Sequence, residues 1–210
     1  MYLPAAFRQD DLAELHRQIA ASRLATLVSH GPQGLTASHL PLLLEPGEGE
    51  SGTLYGHLAR ANPHWQELAA GGEALAIFQG PEAYVSPSWY PGKAAHGKAV
   101  PTWNYVAVHA YGPVELFDEP ERLRRLLGRL SDRHEVGRAQ PWSLDEAPRD
   151  YIDGMLRAIV GFALPIRRLE GKWKLSQNRP AADRDGVRAG LAASGDPRNR
   201  ELAARMSVID

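Results

Sequence analysis

A mainly β fold, a small barrel with helices at its periphery, is what the sequence predicts. Three observations predict it. Six or seven segments show strand-like alternation, or short apolar runs bounded by turn residues. Their spacing is too irregular for repeated βαβ units. No Pro-, Gly- or Ser-rich linker divides the 210 residues, a length that suits one domain with a core able to fold unaided.

The elements follow in order. Residues 11–22 read as a helix, with Leu12, Leu15 and Ile19 in one stripe and Asp10 or Asp11 as cap. Leu24–Ser29 reads as a strand, HGPQG at 30–34 as a turn, and 35–45 as a second strand carrying Leu40, Leu42 and Leu44 on one face. After a polar loop at 46–52, residues 53–59 form a third strand. Asn62 then caps a short helix, with Pro63 at its first position. Residues 74–80 and 83–90 read as strands, 91–101 as a loop, and 102–117 as the longest strand. Leu123, Leu126, Leu127 and Leu130 mark a helix over 119–134, and a shorter one covers 148–157. Residues 159–171 and 172–178 read as a hairpin, and a polar tail with short helices starts near Arg179.

Composition excludes several classes. Hydrophobic residues make up 43% and charged residues 23%, which is ordinary for a globular chain. A net charge of −1 does not suggest nucleic acid. The absence of cysteine removes disulfides, thiolate nucleophiles and Cys-ligated zinc or iron–sulfur centres. No segment is long and apolar enough for a membrane helix and MYLPAAFRQDD has no signal-peptide pattern, so the expectation is a cytoplasmic chain. Walker, Gly-rich dinucleotide, His-Glu-x-x-His and G-x-S-x-G motifs are absent. None of the eight histidines has a recognised metal spacing; haem stands as a minor alternative, without a Cys-x-x-Cys-His motif.

Four clusters carry chemistry. The first is GHLARANP, 56–63, which sets His57, Arg60 and Asn62 at a helix start, with Thr36, Ser38 and His39 on a neighbouring strand. It reads either as an anion corner, where a guanidinium and backbone N–H groups converge, or as a plain strand-to-helix turn. The second places Trp103, Tyr105, His109 and Tyr111 on one strand face, as a platform for a flat ligand whose edge Asn104 or backbone groups read, or as core and interface. The third is GKWKLSQNRP, 171–180, where Lys172, Lys174 and Arg179 supply charge and Gln177 and Asn178 supply amides, or where the lysines protect a sheet edge. The fourth, residues 82–105, reads as a mobile cover carrying Lys93, His96 and Lys98, or as a surface loop.

MYLPAAF, LATLVS, ASHLPLLL, GHLARANP, AYVSPSWY, VPTWNY and KWKLSQNRP occur in this order, nearly end to end. In these motifs the chain resembles the PaiB-type FMN-binding negative transcriptional regulators, split-barrel relatives of pyridoxamine phosphate oxidase. The resemblance implies a Greek-key-like split β-barrel formed by residues 1–210 and a homodimer with FMN at the subunit interface. It implies that Ser38 and His39 line the flavin pocket, and that His57, Arg60 and Asn62 hold the phosphate and ribityl chain. Trp103 and Tyr105 would form pocket wall or dimer contact, and Lys174 and Gln177 would reach the cofactor from the other subunit. No catalytic residue is singled out. A regulatory protein acting through a small molecule or protein partner is the leading expectation, and an FMN-dependent oxidoreductase acting on a small molecule is the alternative. Direct DNA binding is left open, with no helix-turn-helix pair to support it.

Overall fold

The computed structural model describes residues 1–32 and 34–207. Gln33, in the turn expected at 30–34, and the side chain of His96, one of the expected pocket histidines, lie outside the described residues. The chain divides into two compact units.

The first unit comprises Met1–Leu15, Gln79–Val108 and Glu170–Asp210. It holds β1 (Arg8–Gln9), the start of α1 (Leu12–Ala21), the second part of β6 (Glu73–Val85), α3 (Gly92–His96) and the first part of β7 (Thr102–Pro113). Most of β10 (Arg168–Lys174), α6 (Ala181–Ala192) and α7 (Pro197–Met206) complete it. β1 pairs antiparallel with β10, Arg8 opposite Lys172. Val187 and Leu191 of α6 and Leu202 and Met206 of α7 are buried, which is why the polar-looking tail folds as two packed helices.

The second unit comprises His16–Phe78 and His109–Leu169. Its own elements are β2 (Ala25–Gly31), β3 (Gly34–Leu40), β4 (Leu43–Glu45), β5 (Thr53–Ala59), α2 (His64–Ala69), β8 (Glu115–Phe117), α4 (Pro120–Glu135), α5 (Arg149–Leu156) and β9 (Ile159–Pro165). α4 starts at Pro120, whose fixed φ suits a first helical position, and its Leu123, Leu126 and Leu130 pack with Phe117, Ile152 and Leu156. Arg133 in its last turn donates to the Leu42 carbonyl at 2.8 Å, tying the helix to the β3–β4 connection.

The barrel expectation is corrected. The strands form a six-stranded sheet, ordered β1-β10-β7-β6-β2-β3, and a four-stranded sheet, ordered β4-β5-β9-β8. Each sheet ends in two strands with a partner on one side only, so neither closes. Helix accounts for 36% of residues and strand for 33%, so the class is mixed α/β rather than mainly β, with, among the described residues, seven α-helices and ten strands rather than six or seven. Three local causes produce the difference. Pro41 has no N–H for a ladder and breaks the expected 35–45 strand into β3 and β4, which join different sheets. The expected strands 74–80 and 83–90 merge into one strand, β6, which ends at Val85 and whose buried positions shift from 74, 76 and 78 to 81, 83 and 85 across Gln79 and Gly80. The expected 159–178 hairpin does not form. Residues 160–164 are all buried, so β9 is a central strand between β5 and β8, while β10 belongs to the other sheet.

Candidate functional site

In the second unit, the segment from Gly56 to Pro63 carries β5 into α2. The Arg60 N–H donates to the Ala158 carbonyl at 2.7 Å and the Asn62 N–H to Ala59 at 2.9 Å, which turns the chain. Asn62 Oδ1 then accepts the His64 N–H at 3.0 Å, satisfying one of the free donors at the start of α2. That bond fixes the carboxamide, so its Nδ2 donates to Ser38 Oγ at 3.1 Å. Ser38 therefore belongs to the helix cap as much as to β3.

His64 completes this corner and is fully buried. Its Nε2 lies 2.9 Å from Ser29 Oγ and its Nδ1 2.8 Å from Ser38 Oγ. The antiparallel register pairs Ser29 with Thr36 and Leu27 with Ser38, so both serines stand on one face of the β2–β3 ribbon. Burial pushes the His64 imidazolium out of favour, lowering its pKa below the usual 6.5, and the Glu67 carboxylate restores part of the loss. A neutral imidazole carries one N–H. With that proton on Nε2, Ser38 donates to Nδ1. With it on Nδ1, Ser38 accepts from both His64 and Asn62, and its own hydroxyl hydrogen is left to donate elsewhere.

The other expected residues of this corner are placed differently. His39 is exposed, and its Nδ1 lies 3.1 Å from Oγ1 of Thr26, its cross-strand partner. His57 sits on β5 opposite Gly161, its Nδ1 buried without a hydrogen-bond partner, and burial lowers its pKa. Arg60 Nε and Nη2 donate to the carbonyls of Arg157 and Ile159, both at 3.1 Å, and Asp118 lies 3.5 Å away. Its Nη1 retains donors for a ligand. Arg60, Asp118, Arg149 and Arg157 line a cavity of about 640 Å³.

In the first unit, Lys172, Lys174 and Arg179 have no ion-pair partner among the described residues. Lys172 is buried, donates to the Tyr2 carbonyl at 2.9 Å, and stands 5.3 Å from the ring centres of both Tyr2 and Tyr105. Aromatic faces and one carbonyl thus take the place of a counter-ion. Lys174 Nζ donates to Thr102 Oγ1 at 2.8 Å and to the Trp103 carbonyl. Burial, then the like charges of Lys172 and Arg179, lower its pKa from the usual 10.5. Trp103 is exposed and meets Tyr84 edge-on at 6.2 Å. Gln177 spends its amide locally: Oε1 accepts from Leu175 N at 2.7 Å and Nε2 donates to the Trp173 carbonyl at 2.5 Å. Ser176 at φ 67° is held in this turn by the buried Asn104, whose Nδ2 lies 3.0 Å from its Oγ.

One contributor escapes sequence reasoning and another takes a different role. His64 is the first, although it precedes the buried Leu68 by four residues and so shares its helix face. Asn104, expected to read a ligand's edge, is instead fully buried and bonded to Ser176.

The family described as "Putative FMN-binding domain" matches residues 1–168. The protein of Bacillus subtilis named protease synthase and sporulation protein PAI 2 is 32% identical over 206 residues, covering 98% of this chain and 96% of its own. Among solved structures, the FAD and heme binding protein from Mycobacterium smegmatis superposes with a TM-score of 0.61 at 19% identity, covering 87% of this chain and 80% of that one. A protein from Bacteroides thetaiotaomicron described as a "putative 5-nitroimidazole antibiotic resistance protein" does so with a TM-score of 0.57 at 15% identity, over 79% of this chain and 85% of that one. At these identities the structural likeness is one of fold.

Proposed function

The chain belongs to this FMN-binding family, and we propose that it is a regulatory flavoprotein that holds FMN where two copies of the chain meet. The family match carries the reading, and the Bacillus relative named for protease synthesis and sporulation supports the regulatory part. FMN, when bound, supplies the electron chemistry. The chain's own groups fit such a cofactor. Arg60 and Ser38 supply donors for the phosphate and ribityl chain, with Asn62 and His64 fixing Ser38 from behind. From the second copy, Lys174, with Lys172 and Arg179 close enough to depress its pKa, supplies positive charge for the electron-rich edge of the ring, and Trp103 an exposed aromatic surface. Arg60 serves the phosphate through Nη1, its Nε and Nη2 being engaged by the Arg157 and Ile159 carbonyls and by the Asp118 carboxylate.

Titration with FMN and with riboflavin, which lacks the phosphate, tests the assignment. FMN is expected to bind at least about tenfold tighter than riboflavin, as a charge-assisted phosphate contact requires. Arg60→Ala should remove that difference, while Lys174→Met should weaken both ligands alike. If Lys174→Met alone abolishes the FMN–riboflavin difference, the phosphate is held in the first unit. If neither flavin binds the folded protein, the reading fails. Light scattering tests the dimer: the native chain should run as a dimer, and Trp103→Glu, which charges an exposed aromatic surface, should yield monomer with no FMN affinity. A native monomer that binds FMN normally would refute the interface.

A further inference from the structure

Away from the groups assigned to the flavin, the second unit contains a cavity of about 210 Å³ between the 46–52 loop and α4. Leu43, Phe117 and Leu126 give it an apolar floor, and Tyr55, Glu48 and Arg125 line it with them. Two more arginines of α4 reach the same cavity, and both are already neutralised. Arg122 lies over the Phe117 ring at 3.9 Å and pairs with Glu115 at 3.1 Å; Arg129 pairs with Glu45. Arg125 and Glu48 differ. Among the described residues neither has an ion-pair partner, and they do not pair with each other.

Glu48 is nevertheless held in place. Tyr55 donates its phenolic hydrogen to Glu48 Oε2 at 2.6 Å, which leaves Oε1 to accept from elsewhere. The buried Thr53 donates to the Glu48 carbonyl at 3.1 Å, and the Glu48 N–H donates to the Glu45 carbonyl at 3.3 Å. A carboxylate oriented this way, in a loop fastened to β5, loses little further freedom when it binds a cation. Burial and the neighbouring Glu48 charge also raise the Tyr55 pKa, which keeps the phenol a donor.

A cavity with an apolar floor and two opposite, unneutralised charges selects a ligand with the complementary pattern. A simple carboxylate would satisfy Arg125 and leave Glu48 facing an apolar group, and a simple amine would do the reverse. We propose that this cavity binds a free α-amino acid with an apolar side chain, its carboxylate on Arg125, its ammonium on Glu48, and its side chain on Leu43, Phe117 and Leu126. The volume suits a ligand of this size, and the site is independent of flavin. It gives the chain a second small-molecule input.

Calorimetric titration with three probes decides the matter: L-phenylalanine, 3-phenylpropionate, which lacks the ammonium, and phenethylamine, which lacks the carboxylate. L-Phenylalanine is expected to bind at least about tenfold tighter than either analogue, each missing contact being a charge-assisted one. Arg125→Gln should bring L-phenylalanine down to the level of phenethylamine, and Glu48→Gln should bring it down to that of 3-phenylpropionate. Both side chains are exposed, so both variants should fold. Equal binding of L-phenylalanine and 3-phenylpropionate would overturn the zwitterion, as would variants that bind like the native chain. No binding of any probe would overturn the site, whatever the flavin titrations return.

Discussion

Replacing His64 with alanine is expected to lower the stability of the protein by about 3–5 kcal/mol, the range for emptying a fully buried ring position. Two effects add. The imidazole leaves a void between α2 and the β2–β3 ribbon, and Ser29 and Ser38 each lose a hydrogen-bond partner in a place that water reaches poorly. For a chain of this size the melting temperature should fall by roughly 10 °C. Ser29→Ala, which removes one of the two contacts and leaves no large void, should cost about 1–2 kcal/mol. The pH dependence has a definite sign. His57 and His64 both have folded pKa values below the unfolded 6.5. The unfolded chain therefore takes up protons first as the pH falls. Their contribution is complete above pH 6.5 and is lost as the pH falls from there through the folded values. Urea unfolding at a series of pH values should show stability falling below pH 6.5, by at most about 1.4 kcal/mol per pH unit for each histidine. A His64→Gln variant should lose part of that slope. A slope unchanged in both His64→Gln and His57→Gln would show that neither ring is held neutral by the fold.

Local periodicity made some of the helices legible, while α3 falls inside the loop expected at 91–101. α1 and α4 start and end within a residue of the spans that their leucine and isoleucine spacing predicts, and α5 within a residue of the helix expected at 148–157. The cap at Asn62 was legible for the same reason, since it depends on neighbours in the chain. Sheet membership was not. Whether β9 pairs with β10 or with β5 is decided by burial on both faces of Val160–Leu164, a property of the assembled sheet and not of the segment. The break at Pro41 was visible as a residue, but its consequence, a change of sheet between β3 and β4, was not. The site divides similarly. The residue types at 57–62 and 172–179 announced donors and cations, but the sequence does not say which donors the fold consumes. Gln177 spends its amide on its own turn, and Arg60 spends part of its guanidinium on two carbonyls. His64 reads as one histidine among eight until β2 and β3 bring Ser29 and Ser38 to its two nitrogens.

Two helix glycines should respond to alanine with opposite signs. In an exposed helix interior, glycine to alanine gains about 1 kcal/mol from backbone entropy alone. Gly128 in α4 has nothing within 4 Å of the added methyl group, so Gly128→Ala should realise most of that gain. Gly186 in α6 faces the 87–89 turn. A methyl group there would lie 2.0 Å from the Trp89 carbonyl oxygen, and Gly190, one helical turn on, is already pressed against the Trp89 ring. A backbone oxygen cannot swing aside as a side chain can, so α6 or the turn must shift. Overpacking of this kind costs about 1–3 kcal/mol or more, which exceeds the helix-propensity gain. Gly186→Ala should therefore destabilise while Gly128→Ala stabilises, and urea denaturation of the pair reads both signs. The shift also has a functional consequence. Asp183 of α6 accepts from Gly92 N at 3.0 Å, and Arg179, just before α6, lies 5.0 Å from the Tyr90 ring centre, so displacing α6 moves a cation of the cluster around Lys174. Gly186→Ala should accordingly weaken FMN and riboflavin alike, as Lys174→Met does, while Gly128→Ala leaves both unchanged. A stabilised Gly186→Ala would mean that α6 does not seat against the 87–89 turn, and the positioning of Arg179 would need another cause.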